Sequence, residues 1–316
     1  MYYPYFRGKQ FELILIRDEA EFLTDNNIHP IIEPVKKDFK GLSRTIQTLS
    51  DRGGECTLIV NPNAGEKPIS CQSILENVVD GSLKGIPNIS LGYLLKPKTD
   101  IQELLNLLSQ YQSQSFSLIH YGYTNGKKIA DAIAQHKNIV RHIFIDPHAG
   151  KLYQRQFKKD GIDRILIRDG FKPQKKNSLY PLSEHFSELH ITFPDEGMNG
   201  FGDFLIVGED YSESGGPAWA IAIHLTYLAQ DENMFIYHFI SDQTDSPTNP
   251  GGKFLEALKK MVDEGSKPDT DIYKSRAYLK YIDLFNKQHY PGLGFAKKLS
   301  MQHHIELIAH FLNQNS

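Results

Sequence analysis

Residues 31–38 read Ile31-Ile32-Glu33-Pro34-Val35-Lys36-Lys37-Asp38, and this stretch decides the fold. An apolar run that opens at His29-Pro30 stops abruptly at a carboxylate, and Pro34, with no amide hydrogen, discourages further strand. Reading outward, the same order recurs: a short apolar run, a polar cluster with Pro, Gly or Asn, then a helical pattern. Toward the N-terminus, Phe11–Ile16 is mostly apolar, ends at Arg17-Asp18 and is read as the first strand; His29–Ile32 is the second. Toward the C-terminus follow Thr57–Val60 ending at Asn61, Ile89–Leu95 at Lys96, Phe116–Ile119 at His120 and Ile139–Ile145 at Asp146-Pro147-His148. Arg164–Ile167 then ends at Arg168-Asp169, and Phe204–Val207 at Gly208-Glu209-Asp210.

Helical spacing fills most of the intervals. Phe39, Leu42, Ile46 and Leu49 share one face before Gly53-Gly54, Asp100 is placed to cap a Leu-rich helix, and Asn125 leads into another. Continuous apolar strands alternating with helices predict a parallel sheet covered by helices. Eight such units in about 210 residues match an α/β fold of the (β/α)8, TIM-like barrel type; the competing arrangement is an open doubly wound sheet. The long connection from 170 to 202, with one helical pattern near Pro181–Leu189, is expected to be a loop or lid.

Beyond the barrel, Trp219–Tyr227 and Met234–Ile240 read as an antiparallel hairpin. A Pro- and Gly-rich loop follows, then three helical patterns, Phe254–Val262, Tyr273–Phe285 and Met301–Leu312. The expected organisation is a barrel core over 1–210 and an appended hairpin, loop and helices over 211–316, packed on the barrel. His303, His304 and His310 do not form a zinc-binding pattern, so the last helix is expected to be a surface helix. The aromatic start, Tyr2, Tyr3, Tyr5 and Phe6, is expected to plug one end of the barrel.

A net charge of −3 gives no overall attraction to nucleic acid. Two cysteines, Cys56 and Cys71, make no disulfide framework and fit no common metal motif, which suits a reducing compartment. The N-terminus lacks the order of a signal peptide, and no apolar stretch reaches the roughly 18 residues that span a bilayer. A cytoplasmic protein without membrane contact is the expectation.

In a parallel barrel the functional side chains gather at the C-terminal ends of the strands. Three constellations follow from the strand ends. Glu33, Asp146 and His148, with Glu209, could hold a divalent metal, since carboxylates with imidazole suit Mg, Mn or Zn. Lys36, Lys96, Arg168 and Lys172, with Asn61 among them, could clamp a phosphoryl group. His120 could move a proton near neutral pH, with Glu33 and Asp146 as further acid/base groups. The plain alternatives are a turn-capping Asp146, a solubilising rim of charge and a packed His120. There is no Gly-x-Ser-x-Gly elbow, and Arg17-Asp18 stands where a phosphodiesterase barrel would prefer His-Arg. Gly215-Gly216-Pro217 and Asn249-Pro250-Gly251-Gly252-Lys253 have neither Walker nor dinucleotide spacing, although the second precedes a helix and could hold an anion. The basic stretch 151–176, which includes Lys158, Lys159, Lys175 and Lys176, could meet nucleic acid or an acidic partner, or be a solvated face.

Two motifs carry a resemblance. Tyr3-Pro4-Tyr5-Phe6-Arg7-Gly8-Lys9-Gln10-Phe11-Glu12-Leu13, followed by Ile28-His29-Pro30-Ile31-Ile32-Glu33-Pro34, and later Ala222-Ile223-His224-Leu225-Thr226-Tyr227, resemble the beta protein family of bacteria and phages. The resemblance covers the first 40 residues and the 200–240 region. Gly8-Lys9-Gln10-Phe11-Glu12 departs from the family's usual pattern after the first strand and marks a subgroup. The resemblance implies a TIM-like barrel, a phage-defence or mobile-element setting and a small, nuclease-like protein encoded alongside. It implies no particular activity. Two functional expectations stand side by side: a barrel that acts on or binds a phosphate-bearing, nucleotide-like ligand, or a non-catalytic partner or sensor subunit that docks another protein.

Overall fold

Tyr5–Phe6 is a strand, β1, so the aromatic start belongs to the barrel wall, and Tyr2, Tyr3, Tyr5 and Phe6 are all buried in the core. Phe11–Ile16, expected as the first strand, lies within helix α1, Gln10–Asp18. The reason is visible in its burial: Glu12, Leu15 and Ile16 are the covered residues, a spacing of three and four that suits a helix face and not a strand. The fold, a computed structural model, describes residues 1–65, 67–158, 161–212, 216 and 219–315.

The other barrel strands are β2, Ile31–Ile32; β3, Cys56–Ile59; β4, Ile89–Leu95; β5, Ser115–His120; β6, Ile139–Asp146; and β7, Asp163–Arg168. The eighth is Gly200–Gly202, here β9 because Ser183–Ser187, β8, precedes it in the chain. Neighbours pair in parallel in the order β1-β2-β3-β4-β5-β6-β7-β9. The seam is closed by the Tyr3 amide donating to the Phe201 carbonyl at 2.8 Å and the Tyr5 amide to the Asp203 carbonyl at 2.9 Å. The backbones come so close here that a Cβ on Gly202 would stand 2.0 Å from the Tyr3 carbonyl oxygen, so only glycine fits. Phe204–Val207, expected as the eighth strand, is buried turn. This is a (β/α)8, TIM-like barrel.

Helices α2 (Ala20–Asp25), α3 (Lys40–Asp51), α4 (Cys71–Ile74), α5 (Ile101–Gln110), α6 (Gly126–Ile133), α7 (Lys151–Gln154) and α8 (Leu189–Thr192) lie in the connections. The caps expected for α5 and α6 are made: Asp100 accepts from the Gln102 amide at 2.9 Å, and Asn125 from the Lys128 amide at 3.0 Å.

The chain forms two compact units, Met1–Arg168 with Leu189–Asp203 and Asp169–Glu188 with Phe204–Ser316. The division therefore differs from the single boundary expected at 210, because the β7–β9 connection contributes 20 residues, 169–188, to the second unit. Within that unit β10 (Ala222–Leu228), β11 (Met234–Ile240) and β8 form an antiparallel sheet in the order β10-β11-β8. The segment expected as helix near 181–189 is thus a strand paired to β11. Helices α9 (Pro250–Gly265), α10 (Arg276–Asn286) and α11 (Leu293–Gln314) complete the unit. Phe254, Leu258, Met261, Tyr281 and Leu299 form one core with Ile223, Leu225 and Phe239. Contrary to expectation α11 is not a surface helix. His303 and His304 are fully buried, His303 bonding Ser275 and the Thr226 carbonyl and His304 the Thr226 hydroxyl, each within 2.9 Å. Among the described residues no helix is long and apolar enough to cross a membrane.

Candidate functional site

The barrel interior can be located from three hydroxyls. Ser90 and Ser117 lie 2.8 Å apart and Thr57 is 3.4 Å from Ser117, so β3, β4 and β5 turn these side chains toward one another inside the sheet. Side chains alternate along a strand, so Asn61 beyond β3 and Tyr121 beyond β5 continue the inward face, as does Lys96 beyond β4. Registers Tyr5↔Ile31 and Ile31↔Thr57 carry the same face round to Tyr5, Arg7 and Glu33. By the same rule His120, three residues beyond Ser117, faces outward. So do Asp146 and Arg168, neighbours in register on β6 and β7.

Glu33 is fully buried at the mouth and fully bonded. One carboxylate oxygen accepts from the Asn63 and Ala64 amides at 2.6 and 2.8 Å. The other accepts from the Tyr5 hydroxyl at 2.8 Å and forms an ion pair with Arg7. Burial, and then the neighbouring Glu33 charge, hold the Tyr5 phenol well above its ordinary range, so it stays a donor. Gly8 makes the turn after Arg7 possible: its φ is +62°, and a Cβ there would meet the Glu33 carbonyl at 2.9 Å. Glu33 thus ties β1, β2 and the loop after β3 together, which is a bracing role.

Asn61 also braces. Its amide donates to the Leu94 carbonyl at 3.0 Å and accepts from the Leu94 amide at 2.7 Å, extending the β3–β4 ladder by a side chain. Lys96 is different. Its half-buried ammonium donates to the Asn61 carbonyl at 3.2 Å and makes no ion pair among the described residues. Burial lowers its pKa, and Glu33 partly opposes that. A cavity of about 890 Å³ opens beside it and runs to the outer layer, lined by Tyr93, which alternates to the outer face of β4, by Glu103 and Asn106 of α5, and by Cys71 and Thr99. Burial and Glu103 push the Cys71 thiol up to about 11, so it is no ready nucleophile. Farther along the rim, beyond β5 and β6, the exposed His148 packs its ring 4.4 Å from that of Tyr121.

The remaining expected residues do not join this group. His120 is fully buried in the outer layer, where Nδ1 bonds the Tyr153 hydroxyl at 2.8 Å and Nε2 bonds His142 Nδ1 at 3.0 Å. Its ring stacks on Phe144 at 4.6 Å. Burial, and then His142 and Arg164, hold its pKa well below the ordinary range. It is a packed, neutral histidine that points away from the barrel interior, which departs from its expected catalytic role. Asp146 and Arg168 pair at 2.9 Å, Arg168 also binds Glu196 at 2.7 Å, and Lys151 pairs with Glu196. This network clamps the outside of the barrel, so Asp146 and Arg168 also depart from their expected roles. Burial alone would lower the Arg168 pKa; its bonds to Glu196 and Asp146 outweigh that and raise it. Lys36 is exposed beside a smaller cavity of about 320 Å³, which it shares with Arg17. Lys172 and Glu209 belong to the second unit. There Lys172 lies 3.8 Å from Glu184, and the Glu209 amide donates to Asp169 at 2.7 Å.

The expected metal site does not fit this arrangement. Among the described residues no three metal-ligating side chains gather, and the Glu33 oxygens are occupied by protein donors. The glycine-rich stretch before α9 is a cap: Asn249 accepts from the Gly252 amide at 3.0 Å, and the Lys253 ammonium is buried on the Trp219 carbonyl at 2.8 Å. Lys159 of the basic stretch, and Gly215 and Pro217 of the other glycine-rich motif, lie outside the described residues. Arg7 and Tyr121 are not among the residues the sequence singles out, because the expected first strand, Phe11–Ile16, lies beyond Arg7 and the strand Phe116–Ile119 is expected to end at His120.

No protein-family model matches the chain, and no curated protein matches it. Among solved structures it is similar to a "putative dihydrodipicolinate synthase family protein" from Coccidioides immitis, at 11% identity and a TM-score of 0.41. The likeness covers 64% of this chain and 65% of that one, so the chain spans about 65% of that structure's length.

Proposed function

We propose that the rim of the barrel mouth at Lys96, where a cavity opens toward α5, binds a small anionic ligand, phosphate-bearing and nucleotide-like in class, with Lys96 as the cation that meets it. The observation that supports this is the state of Lys96: a partly desolvated ammonium, bonded to one carbonyl, at the edge of a cavity of about 890 Å³. A cation in such a place gains more from an anion than an exposed one, because the surroundings screen less. Glu33 and Asn61 hold the mouth in shape, and Arg7 is held by Glu33. The cavity also carries Asp100 and Glu103, so a ligand with hydrogen-bond donors as well as an anion suits it. The setting carried by the family resemblance, a phage-defence or mobile-element module, belongs to the same proposal.

The test is calorimetric titration of the full chain with inorganic phosphate and nucleoside phosphates. Lys96→Met should weaken binding at least about ten-fold, the loss of one charged contact, while Arg168→Met leaves it unchanged. Equal affinity in the Lys96→Met protein would sink the reading.

One observation favours a second reading, a docking subunit for a protein partner. Leu152 is 75% exposed beside the exposed Arg155 and Lys158. A large exposed apolar side chain in a stretch with exposed cations suits an acidic partner surface. Charge reversal at Arg155 and Lys158 would then abolish recovery of the small protein encoded alongside and leave phosphate binding intact; recovery unchanged by reversal removes this reading.

A further inference from the structure

In the second unit a chain of three side chains leads from a carboxylate to a cavity. His224 on β10 stands opposite His238 on β11, so the two rings share one face of the sheet. His224 Nδ1 and His238 Nδ1 are 2.7 Å apart, and His238 Nε2 is 3.1 Å from Glu184 Oε1 on β8. The stack is held from the side: the Tyr180 ring lies on His238 at 4.5 Å, and Phe171 meets His224 edge-on at 5.2 Å.

Proton positions follow by elimination. An ionised carboxylate only accepts, so His238 Nε2 carries the hydrogen. In a neutral ring His238 Nδ1 is then a bare acceptor, and the short contact requires His224 Nδ1 to donate. His224 Nε2 is left without a hydrogen. Burial, then His238 and Lys297, hold the His224 pKa well below its ordinary range, and burial lowers that of His238 against the opposing pull of Glu184. Both rings are therefore neutral near pH 7, as the elimination assumes. The arrangement has the logic of a histidine fixed in one tautomer by a carboxylate behind it.

His224 lines a cavity of about 720 Å³ in the same unit, together with Lys175, Lys176, Lys297, Ser300 and Trp219. Lys175 and Lys176 are exposed and make no ion pair among the described residues. Trp219, the only tryptophan of the chain, is 52% exposed. A single cavity thus offers ammonium groups, a large aromatic face and a preset nitrogen acceptor.

We propose that this cavity is a second ligand site, separate from the barrel mouth, that takes a phosphate monoester bearing an aromatic ring, of the nucleoside monophosphate class. The lysines meet the phosphate, the Trp219 indole meets the ring, and His224 Nε2 accepts a hydrogen bond from a ligand hydroxyl. Glu184 and His238 act through His224 and are positioning residues. Other charged groups nearby are Lys297 on α11 and Lys172, 3.8 Å from Glu184.

Because Trp219 is the sole tryptophan, its fluorescence reports on this cavity in the full-length protein. Titration with adenosine monophosphate should change the emission saturably. A Lys175→Ala, Lys176→Ala double variant, altered only at exposed positions, should raise the apparent Kd by about ten-fold or more, and adenosine without phosphate should bind at least about ten-fold more weakly. Lys96→Met should leave the titration unchanged. Nitrogen-15 spectra of the histidines should show His224 Nε2 unprotonated at pH 7, and His238→Gln should disturb that signature. The proposal is overturned if adenosine monophosphate gives no saturable change, if the double variant binds equally well, or if His224 Nε2 carries a proton. Equal response to inorganic phosphate overturns the monoester assignment, and loss of the signal in Lys96→Met places the ligand at the barrel mouth instead.

Discussion

Glu33 and Asp146 both stand at ends of barrel strands, and both pair with an arginine, yet they occupy opposite regions of the wall. Glu33 faces inward, its side chain is 0% exposed, and both its oxygens are used by Arg7, Tyr5 and two backbone amides. Asp146 faces outward, its side chain is 36% exposed, and its arginine is shared with Glu196. A buried charge is tolerated only when fully compensated, whereas an exposed pair is screened by water and gains little. The face a strand-end carboxylate takes therefore decides its role, and position along the chain alone does not.

That contrast can be broken by mutation. Glu33→Ala should cost about 3–5 kcal/mol of stability, since it strands Arg7 and two amides at the mouth. A urea midpoint that barely moves would put Glu33 in the same class as Asp146. Acid should come next. His29, at the N-terminal end of the barrel, and His303, in the second unit, both have pKa values lowered by burial from 6.5 to about 4. The folded chain takes these protons only near pH 4, the unfolded chain near 6.5. Their contribution is full above about pH 6.5 and is lost as the pH falls from there to about 4. Each steepens the decline by up to about 1.4 kcal/mol per pH unit. Thermal melts that are flat between pH 6.5 and 4 would show that these rings protonate without resistance.

Smaller effects sharpen the same comparison. Arg168→Met should cost about 1 kcal/mol or less, because its side chain is 30% exposed, Asp146 is 36% exposed and Glu196 keeps its pair with Lys151. A loss as large as that for Glu33→Ala would mean the outer network is as demanding as the inner one. Lys96→Met should leave stability within about 0.5 kcal/mol, since a partly desolvated charge is exchanged for an apolar chain, while anion binding falls. A large destabilisation would make Lys96 another brace.

Much of the barrel was legible in the sequence because its middle strands are continuous apolar runs and its helices show clear faces. Its two edges were not. Phe11–Ile16 has the composition of a strand, and the helical spacing of Glu12, Leu15 and Ile16 was outweighed by that apolar character. β1 has only two regular residues and β9 only three, two of them glycine, so neither announces itself. The ends of β2 through β7 are marked by the polar residues that follow each apolar run, and Thr57, Ser90 and Ser117 are the sequence's sign of which residues point inward. With it, His120, Asp146 and Arg168 separate from Glu33, Asn61 and Lys96. The Glu184–His238–His224 chain needed the hairpin register and also β8, a segment whose pattern suggested a helix.

The interleaving of the two units has a consequence for how such a protein can be shortened, fused or exchanged between genes. The chain passes between them three times, at 168/169, 188/189 and 203/204. A stop placed at residue 210 would leave β8 without its partner β11, and a start placed there would deprive β11 of β8. Neither unit is a contiguous cassette, so recombination at a single junction cannot transplant one without carrying a fragment of the other, and the pair is expected to be inherited as one block.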